Sequence, residues 1–368
     1  MKFGFIDLQA QYRAYKTEID QAMAEVVDSA YFIMGPQVAA LEHDLQAYTG
    51  APHAIGCANG TDALMLAMMA IDIKPGDEVI TTPFTFIATG EMIAILGAVP
   101  VFVDIEPDTF NIDATKIEEK ITSRTKAIIP VSLYGQPADM AAINAIAEKH
   151  QLHVIEDAAQ SFGAEYQGKK SCNLSTLATT SFFPAKPLGC FGDGGAVFTS
   201  DEQLAEKMKI LRVHGQNKRY HHRYIGMNGR LDTLQAAVLQ VKLKHFPEEV
   251  RARHALAARY NALFADMDLV TPVVKEGRSS VYAQYTLRVQ QRDAFCAALA
   301  EEGIPTAVHY PMPLHLQACF GYLNYSAGDF PVAELAAKEV VSLPMSAFLT
   351  HEQQDWVKAA IVKAGVIG

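Results

Sequence analysis

Cysteine is scarce: Cys57, Cys172, Cys190, Cys296 and Cys319 are the only five in 368 residues. They are too few and too scattered for a disulfide framework or a Cys-x-x-Cys metal site, so no metal is expected. No apolar run reaches the roughly 20 residues that span a bilayer. The opening segment, residues 1–7, lacks the apolar core of a secretory signal. Long Lys or Arg runs are missing too, and the net charge is −10. A broad nucleic-acid or anionic-membrane surface is therefore excluded, while a local basic pocket for an anion is not. No G-x-G-x-x-G opens a helix, and G-x-x-x-x-G-K-[ST], H-E-x-x-H and G-x-S-x-G do not occur. Nicotinamide, nucleotide-hydrolysis, zinc-protease and esterase chemistry thus lose their simplest support. What remains is a chain half hydrophobic and 20% charged. Such a composition belongs to a well-buried globular protein of about two domains, expected in the cytoplasm.

From residue 54 to 200, short β-rich runs alternate with helical ones. The strand candidates are Ala54–Ala58, Glu78–Thr82, Val99–Asp104, Ala127–Val131, His153–Asp157, Thr179–Phe183 and Ala196–Ser200. Between them lie helical runs such as Ala63–Ile71, Phe86–Leu96, Ala114–Lys120, Met140–His150 and Asp201–Arg212. Two amphipathic helices over 11–30 and 37–48 precede them. The alternation predicts an α/β fold with a mostly parallel sheet and helices on both faces. A helical pattern from Asp232 to His245 stops at Pro247, and a second helix is predicted over Glu249–Ala265. Then the order changes: a strand-like Val281–Val289, a helix Arg292–Glu302, a strand-like Thr306–Tyr310, and helices near Val332–Val340 and His351–Ala364. The predicted organisation is a large domain over residues 1–250 and a smaller α/β domain over 251–368.

Open α/β sheets bind ligands beyond the carboxyl ends of their strands, and three polar segments fall there. In Asn59-Gly60-Thr61-Asp62, Gly60 lets the backbone approach a ligand, and Thr61 with the first helical N–H groups could hold a phosphate. Asn, Thr and Asp are equally ordinary helix caps. In Val154-Ile155-Glu156-Asp157-Ala158-Ala159-Gln160, Asp157 would emerge at the sheet's edge. A carboxylate there could keep a pyridine nitrogen protonated, as pyridoxal needs to act as an electron sink; a capping or salt-bridged Asp reads the same. In Ser181-Phe182-Phe183-Pro184-Ala185-Lys186, followed by Gly192-Asp193-Gly194-Gly195, Lys186 stands between an apolar strand end and a glycine-rich turn. Most lysines are solvated surface charges. One crowded here would lose its proton more easily and condense with an aldehyde.

Together these residues resemble the DegT/DnrJ/EryC1/StrS sugar aminotransferases over essentially the whole chain. The likeness begins at Phe5-Ile6-Asp7-Leu8 and runs through Gly60-Thr61-Asp62-Ala63-Leu64, Glu156–Gln160, Ser181–Lys186 and Gly192–Gly195 to Asn228-Gly229-Arg230-Leu231-Asp232 and His309-Tyr310-Pro311. The resemblance implies a fold-type-I transferase, similar to aspartate aminotransferase, that uses pyridoxal 5′-phosphate. It implies that Lys186 carries the cofactor as a Schiff base and shuttles the proton. Asp157 would pair with the pyridine nitrogen, Gln160 lie near the ring hydroxyl, and Phe86 stack on the ring. Gly60, Thr61 and Ser181 would hold the phosphate, and Asn228 would reach the phosphate of a neighbouring subunit in a homodimer with shared active sites.

Many members carry a bulky aromatic where this chain has Gly229. With Val308-His309-Tyr310-Pro311, the chain looks most like the branch acting on UDP-2-acetamido-2-deoxy-3-keto-D-glucuronate. That branch makes 3-amino uronates for bacterial surface polysaccharide (O-antigen) with L-glutamate as donor. A uronate carboxylate suits a forked cation; Arg230, helped by His309 and Tyr310, is the candidate, with a structural ion pair as the competing role for Arg230. The runner-up substrate is a 3- or 4-keto-6-deoxysugar nucleotide. Sugar dehydratases of this family resemble it with His at the lysine position, where this chain keeps Lys186. A non-catalytic regulatory protein on this fold is the remaining alternative.

Overall fold

The computed structural model describes residues 4–365; residues 1–3, part of the opening segment read above for a signal, lie outside it with 366–368. The chain opens with α1 (Leu8–Ser29), α2 (Pro36–Thr49), β1 (His53–Cys57), α3 (Gly60–Ala70), β2 (Glu78–Thr81), α4 (Ile87–Ile95), β3 (Val99–Phe102) and β4 (Thr125–Ile128). It continues through α5 (Met140–His150), β5 (His153–Asp157), a short hairpin of β6 (Glu165–Tyr166) and β7 (Lys169–Lys170), β8 (Leu177–Ser181), β9 (Gly195–Thr199) and α6 (Glu202–Leu211). A second hairpin, β10 (Gln216–Lys218) and β11 (His221–His222), leads to α7 (Thr233–Leu263). The last part holds β12 (Tyr285–Arg288), α8 (Arg292–Glu301), α9 (Pro331–Glu339), β13 (Val340–Leu343) and α10 (His351–Ala364).

Local chemistry sets several helix ends. Asp7 accepts from Ala10 N at the start of α1, Pro36 opens α2, and Gly50 closes it at φ 75°. Thr350 and Gln353 form a reciprocal cap on α10.

Seven strands form one sheet in the order β1-β9-β8-β5-β4-β2-β3. All neighbours pair in parallel except β9, which runs antiparallel to β1 and β8. Alternate residues divide between two faces. Ile55, Val79, Ile155, Leu177 and Val197 pack on α3, α4 and α6. Ala54, Ala178 and Phe198 pack on α2 and α7, while Ile80, Ile128 and Val154 pack on α5. Helices therefore cover both faces, as the alternation predicted. The β12–β13 pair, α8, α10 and the end of α7 enclose a separate core of Leu256, Tyr260, Tyr285, Leu299, Val341 and Ile361.

Several predicted elements change. Pro247 does not stop the helix: α7 runs unbroken through it and through residue 250. Proline removes one backbone donor, and packing on both sides outweighs that loss. Leu243, Phe246 and Val250 lock that stretch into the large core, and Leu256, Ala257 and Tyr260 lock the rest into the small one. The run Ala114–Lys120 is two 3₁₀ turns, Ala114–Lys116 and Glu118–Lys120. Over 306–310 no strand forms and Ala307 alone bridges Ser342, because β13 takes the place beside β12.

Candidate active site

Strand register gathers the three predicted segments. Gly195, at the start of β9, lies opposite both Cys57, ending β1, and Ser181, ending β8. Asp157, ending β5, lies opposite Thr179 of β8. The carboxyl ends of β1, β5 and β8 thus converge. Above them lies a cavity of about 680 Å³ lined by Gly60, Thr61, Phe86, Asp157, Gln160, Ser181, Lys186, His309 and Tyr310, among others. Nine of the predicted site residues meet there. A more open cleft of about 900 Å³ lies between residues 4–13 and 300–305; its Asp7 is committed to capping α1.

Lys186 is half-buried and lines the cavity, where the surrounding protein desolvates its amine. That desolvation lowers its pKa, and the charge of Asp157 opposes the shift. Asp157 is buried, which raises its pKa; the Ala159 N–H (3.2 Å), the Thr89 hydroxyl (2.9 Å) and Lys186 pull it back. Burial thus drives the amine and the carboxyl each toward its neutral form. Thr89 in turn hydrogen-bonds Thr85 at 3.1 Å, so α4 orients the acid. The sequence reading missed both threonines. Thr89 lies in the first turn of α4 and Thr85 just before the helix, on either side of Phe86, and that proximity to Phe86 was the available signal.

Gln160 is held at both ends: its Oε1 accepts from Tyr134 N at 2.7 Å, and its Nε2 donates to the Tyr310 hydroxyl at 3.3 Å. Burial raises the Tyr310 pKa and keeps its hydroxyl protonated. Phe86, the residue preceding α4, is 55% exposed, with its ring 6.2 Å from that of Tyr310. Burial, aided by the charge of Lys186, pushes the His309 pKa down to about 4, so its ring is neutral at pH 7. Its Nδ1 lies 3.3 Å from the Ser342 hydroxyl. Asn228 and Arg230 are the exceptions. Asn228 is exposed, Arg230 buries an Nε with no partner, and neither lines the cavity of its own chain.

The cavity fits a phosphorylated aldehyde. α3 begins at Gly60, and Asn59 takes only the Asp62 N–H, which leaves the first-turn N–H groups for an anion. A Cβ on Gly60 would sit 2.7 Å from the Ser181 Cβ, closing the cradle beside them. Deeper in stand an amine of lowered pKa and a buried acid.

Residues 13–362 match the DegT/DnrJ/EryC1/StrS aminotransferase family. The chain belongs to that family. It is 52% identical to a Pseudomonas aeruginosa protein named UDP-2-acetamido-2-deoxy-3-oxo-D-glucuronate aminotransferase, over 97% of this chain and 99% of that one. It is 51% identical to a Geobacillus stearothermophilus protein named as a pleiotropic regulatory protein, over 99% and 98%. Among solved structures, Bacillus subtilis NtdA with bound cofactor PMP superposes with a TM-score of 0.92 at 32% identity, covering 99% of this chain and 85% of that one. The protein is an aminotransferase of fold type I, and pyridoxal 5′-phosphate is its cofactor. Among the described residues no helix is long and apolar enough to cross a membrane.

Proposed function

We propose that the protein transfers the amino group of L-glutamate to C3 of UDP-2-acetamido-2-deoxy-3-keto-D-glucuronate, giving the 3-amino uronate and 2-oxoglutarate. The observation that carries this substrate is the 52% identity, over nearly the whole of both chains, to the Pseudomonas aminotransferase of that name. Bound in the cavity, pyridoxal 5′-phosphate supplies an aldehyde for the amine and a ring that delocalises the charge left when a proton departs. The chain's own residues do the rest. Gly60, Thr61 and Ser181 would hold the phosphate at the start of α3. Asp157 would keep the pyridine nitrogen protonated, with Thr89 fixing its carboxyl. Phe86 would pack against the cofactor ring, and Gln160 would hydrogen-bond to it.

Lys186 Nζ takes the α-proton of glutamate and later delivers a proton to the sugar carbon that receives nitrogen. Its lowered pKa suits both tasks. Over the cycle the C–N bond at the glutamate α-carbon is replaced by C=O, with the oxygen from water, and the C3=O bond of the sugar is replaced by C–N and C–H, with its oxygen leaving as water. The electron pair passes from the glutamate carbon to C3. Because His309 is neutral, it and Tyr310 offer only neutral hydrogen bonds, and Arg230 supplies the charge facing the uronate.

Asn228 and Arg230 act from a second copy of the chain, so the active form is a homodimer. Exposed Tyr31, Phe32, Ile33 and Ile225, the last 91% exposed, support such an interface. The step belongs to surface-polysaccharide (O-antigen) synthesis in the cytoplasm.

The test is amination of a panel of keto-sugar nucleotides with glutamate, read by mass spectrometry. The 3-keto uronate should be the preferred acceptor, and Arg230→Met should cripple its turnover while sparing a 6-deoxysugar. Preference for a 6-deoxysugar would overturn the substrate. Mixing inactive Lys186→Ala and Asn228→Ala chains should restore activity if sites are shared.

A further inference from the structure

Lys186 stands in a loop that closes on itself. Phe182 O accepts from Cys190 N at 2.8 Å, and Phe183 O accepts from Lys186 N at 2.8 Å. Gly189 backs so closely onto these residues that a Cβ there would lie 2.5 Å from the Pro184 carbonyl oxygen. The loop is also gripped from outside by α7. Gln235 Oε1 accepts the Phe191 N–H at 2.8 Å. Two helical turns further on, Lys242 Nζ donates to the Gly189 carbonyl at 2.6 Å and lies 4.7 Å from the centre of the Phe191 ring.

Lys242 is an unusual residue to find here. It is 2% exposed, with a carbonyl and a ring face as its immediate contacts. A buried cation is costly, and an apolar side chain of similar size is normally the better filler. Glu249, another two turns along α7, supplies the attractive charge, and Gln11 of α1 holds that carboxylate through Nε2 at 3.0 Å. Burial lowers the Lys242 pKa to about 8, which leaves it mostly cationic at neutral pH. Its contact is with the Gly189 carbonyl, three residues after Lys186, so the loop backbone links the two lysines.

We infer that Lys242 is a positioning residue for the transamination: by holding the Gly189 carbonyl it fixes the loop that presents the Lys186 amine to the cavity. The inference rests on the role proposed for Lys186. Misplacing a reacting group by about 1 Å costs on the order of 10²-fold in rate, so the loop's anchorage matters to turnover more than to binding.

The test compares holoenzymes carrying Lys242→Met and Lys242→Arg with wild type, and repeats hydrogen exchange on the cofactor-free proteins. Lys242→Met should slow the glutamate half-reaction about ten- to hundredfold, with the glutamate KM within about twofold. It should alter the circular dichroism of the bound cofactor. Amide exchange over residues 186–191 should rise, with or without cofactor, while β5 and β8 stay protected. Lys242→Arg, still a cationic donor, should recover part of each effect. Wild-type kcat and loop exchange in folded Lys242→Met would overturn the inference, as would exchange raised equally throughout. If Lys242→Met does not fold, Lys242→Gln, too short to reach Gly189, takes its place under the same criteria. Should Lys186→Ala still transfer amines, the proposed mechanism falls; loop exchange in cofactor-free protein would still show whether Lys242 holds the loop.

Discussion

Glu156 and Asp157 are adjacent on β5, equally buried, and opposite in use. The strand points one to each face of the sheet. Burial pushes the Glu156 carboxyl up to about 7, and its neighbours satisfy it fully. The Ser171 hydroxyl and the Cys172 N–H donate to it from the loop before β8. Asp157 faces α4 and the cavity, where the Ala159 N–H, the Thr89 hydroxyl and the charge of Lys186 draw its pKa back. A buried acid alone therefore does not mark a site. A buried acid beside an open cavity, with an amine of lowered pKa near it, does.

The largest break in this comparison is at the amine. Lys186→Ala should reduce turnover by at least about 10³-fold, measured as steady-state amination, since it removes the group proposed both to anchor the cofactor and to move the proton. Asp157→Asn keeps the shape and loses the charge. It should cost about 10²–10³-fold in kcat, the range for losing a preorganised electrostatic partner, without lowering Tm. Thr89→Val removes one donor to the acid and should slow turnover about tenfold, the scale of one hydrogen bond to a charged group.

Glu156→Gln probes the other face and should leave kcat near wild type. Its signature is in stability against pH. With a folded pKa near 7 and a free value of 4.5, the folded chain holds the extra proton between those values. The contribution of Glu156 to stability is thus complete below pH 4.5, declines as pH rises toward 7, and is flat above. Thermal melts at pH 5 and pH 8 should lose that part of the slope in Glu156→Gln. An unchanged slope would mean that the carboxyl is ionised in the fold at neutral pH.

Much of this was legible in the sequence because the signals were local. Apolar periodicity outlined most strands and helices of the sheet, and Gly60, Asp157 and Lys186 each end or closely follow a candidate strand. Thr89 was not read, because its partner Asp157 is 68 residues away, and Thr85 acts only through Thr89. Pro247 misled because a helix-breaking preference worth about 3 kcal/mol is smaller than the packing of α7 into two cores. Val340, which opens β13, was read as a helix end and Val341–Leu343 were given no strand, since this segment acquires its form only by pairing with β12.

By itself the sequence determined the α/β class, the family, and the lysine, acid and glycine proposed to hold the cofactor, all of which depend on residue type and short spacing. The tertiary structure decided that Glu156 and Asp157 part ways, that His309 is neutral, and that Asn228 and Arg230 do not reach the cavity of their own chain. It also decided that Lys242, 56 positions after Lys186, grips the same loop. Charge state and reach depend on what surrounds a group in space, and those surroundings come from distant parts of the chain.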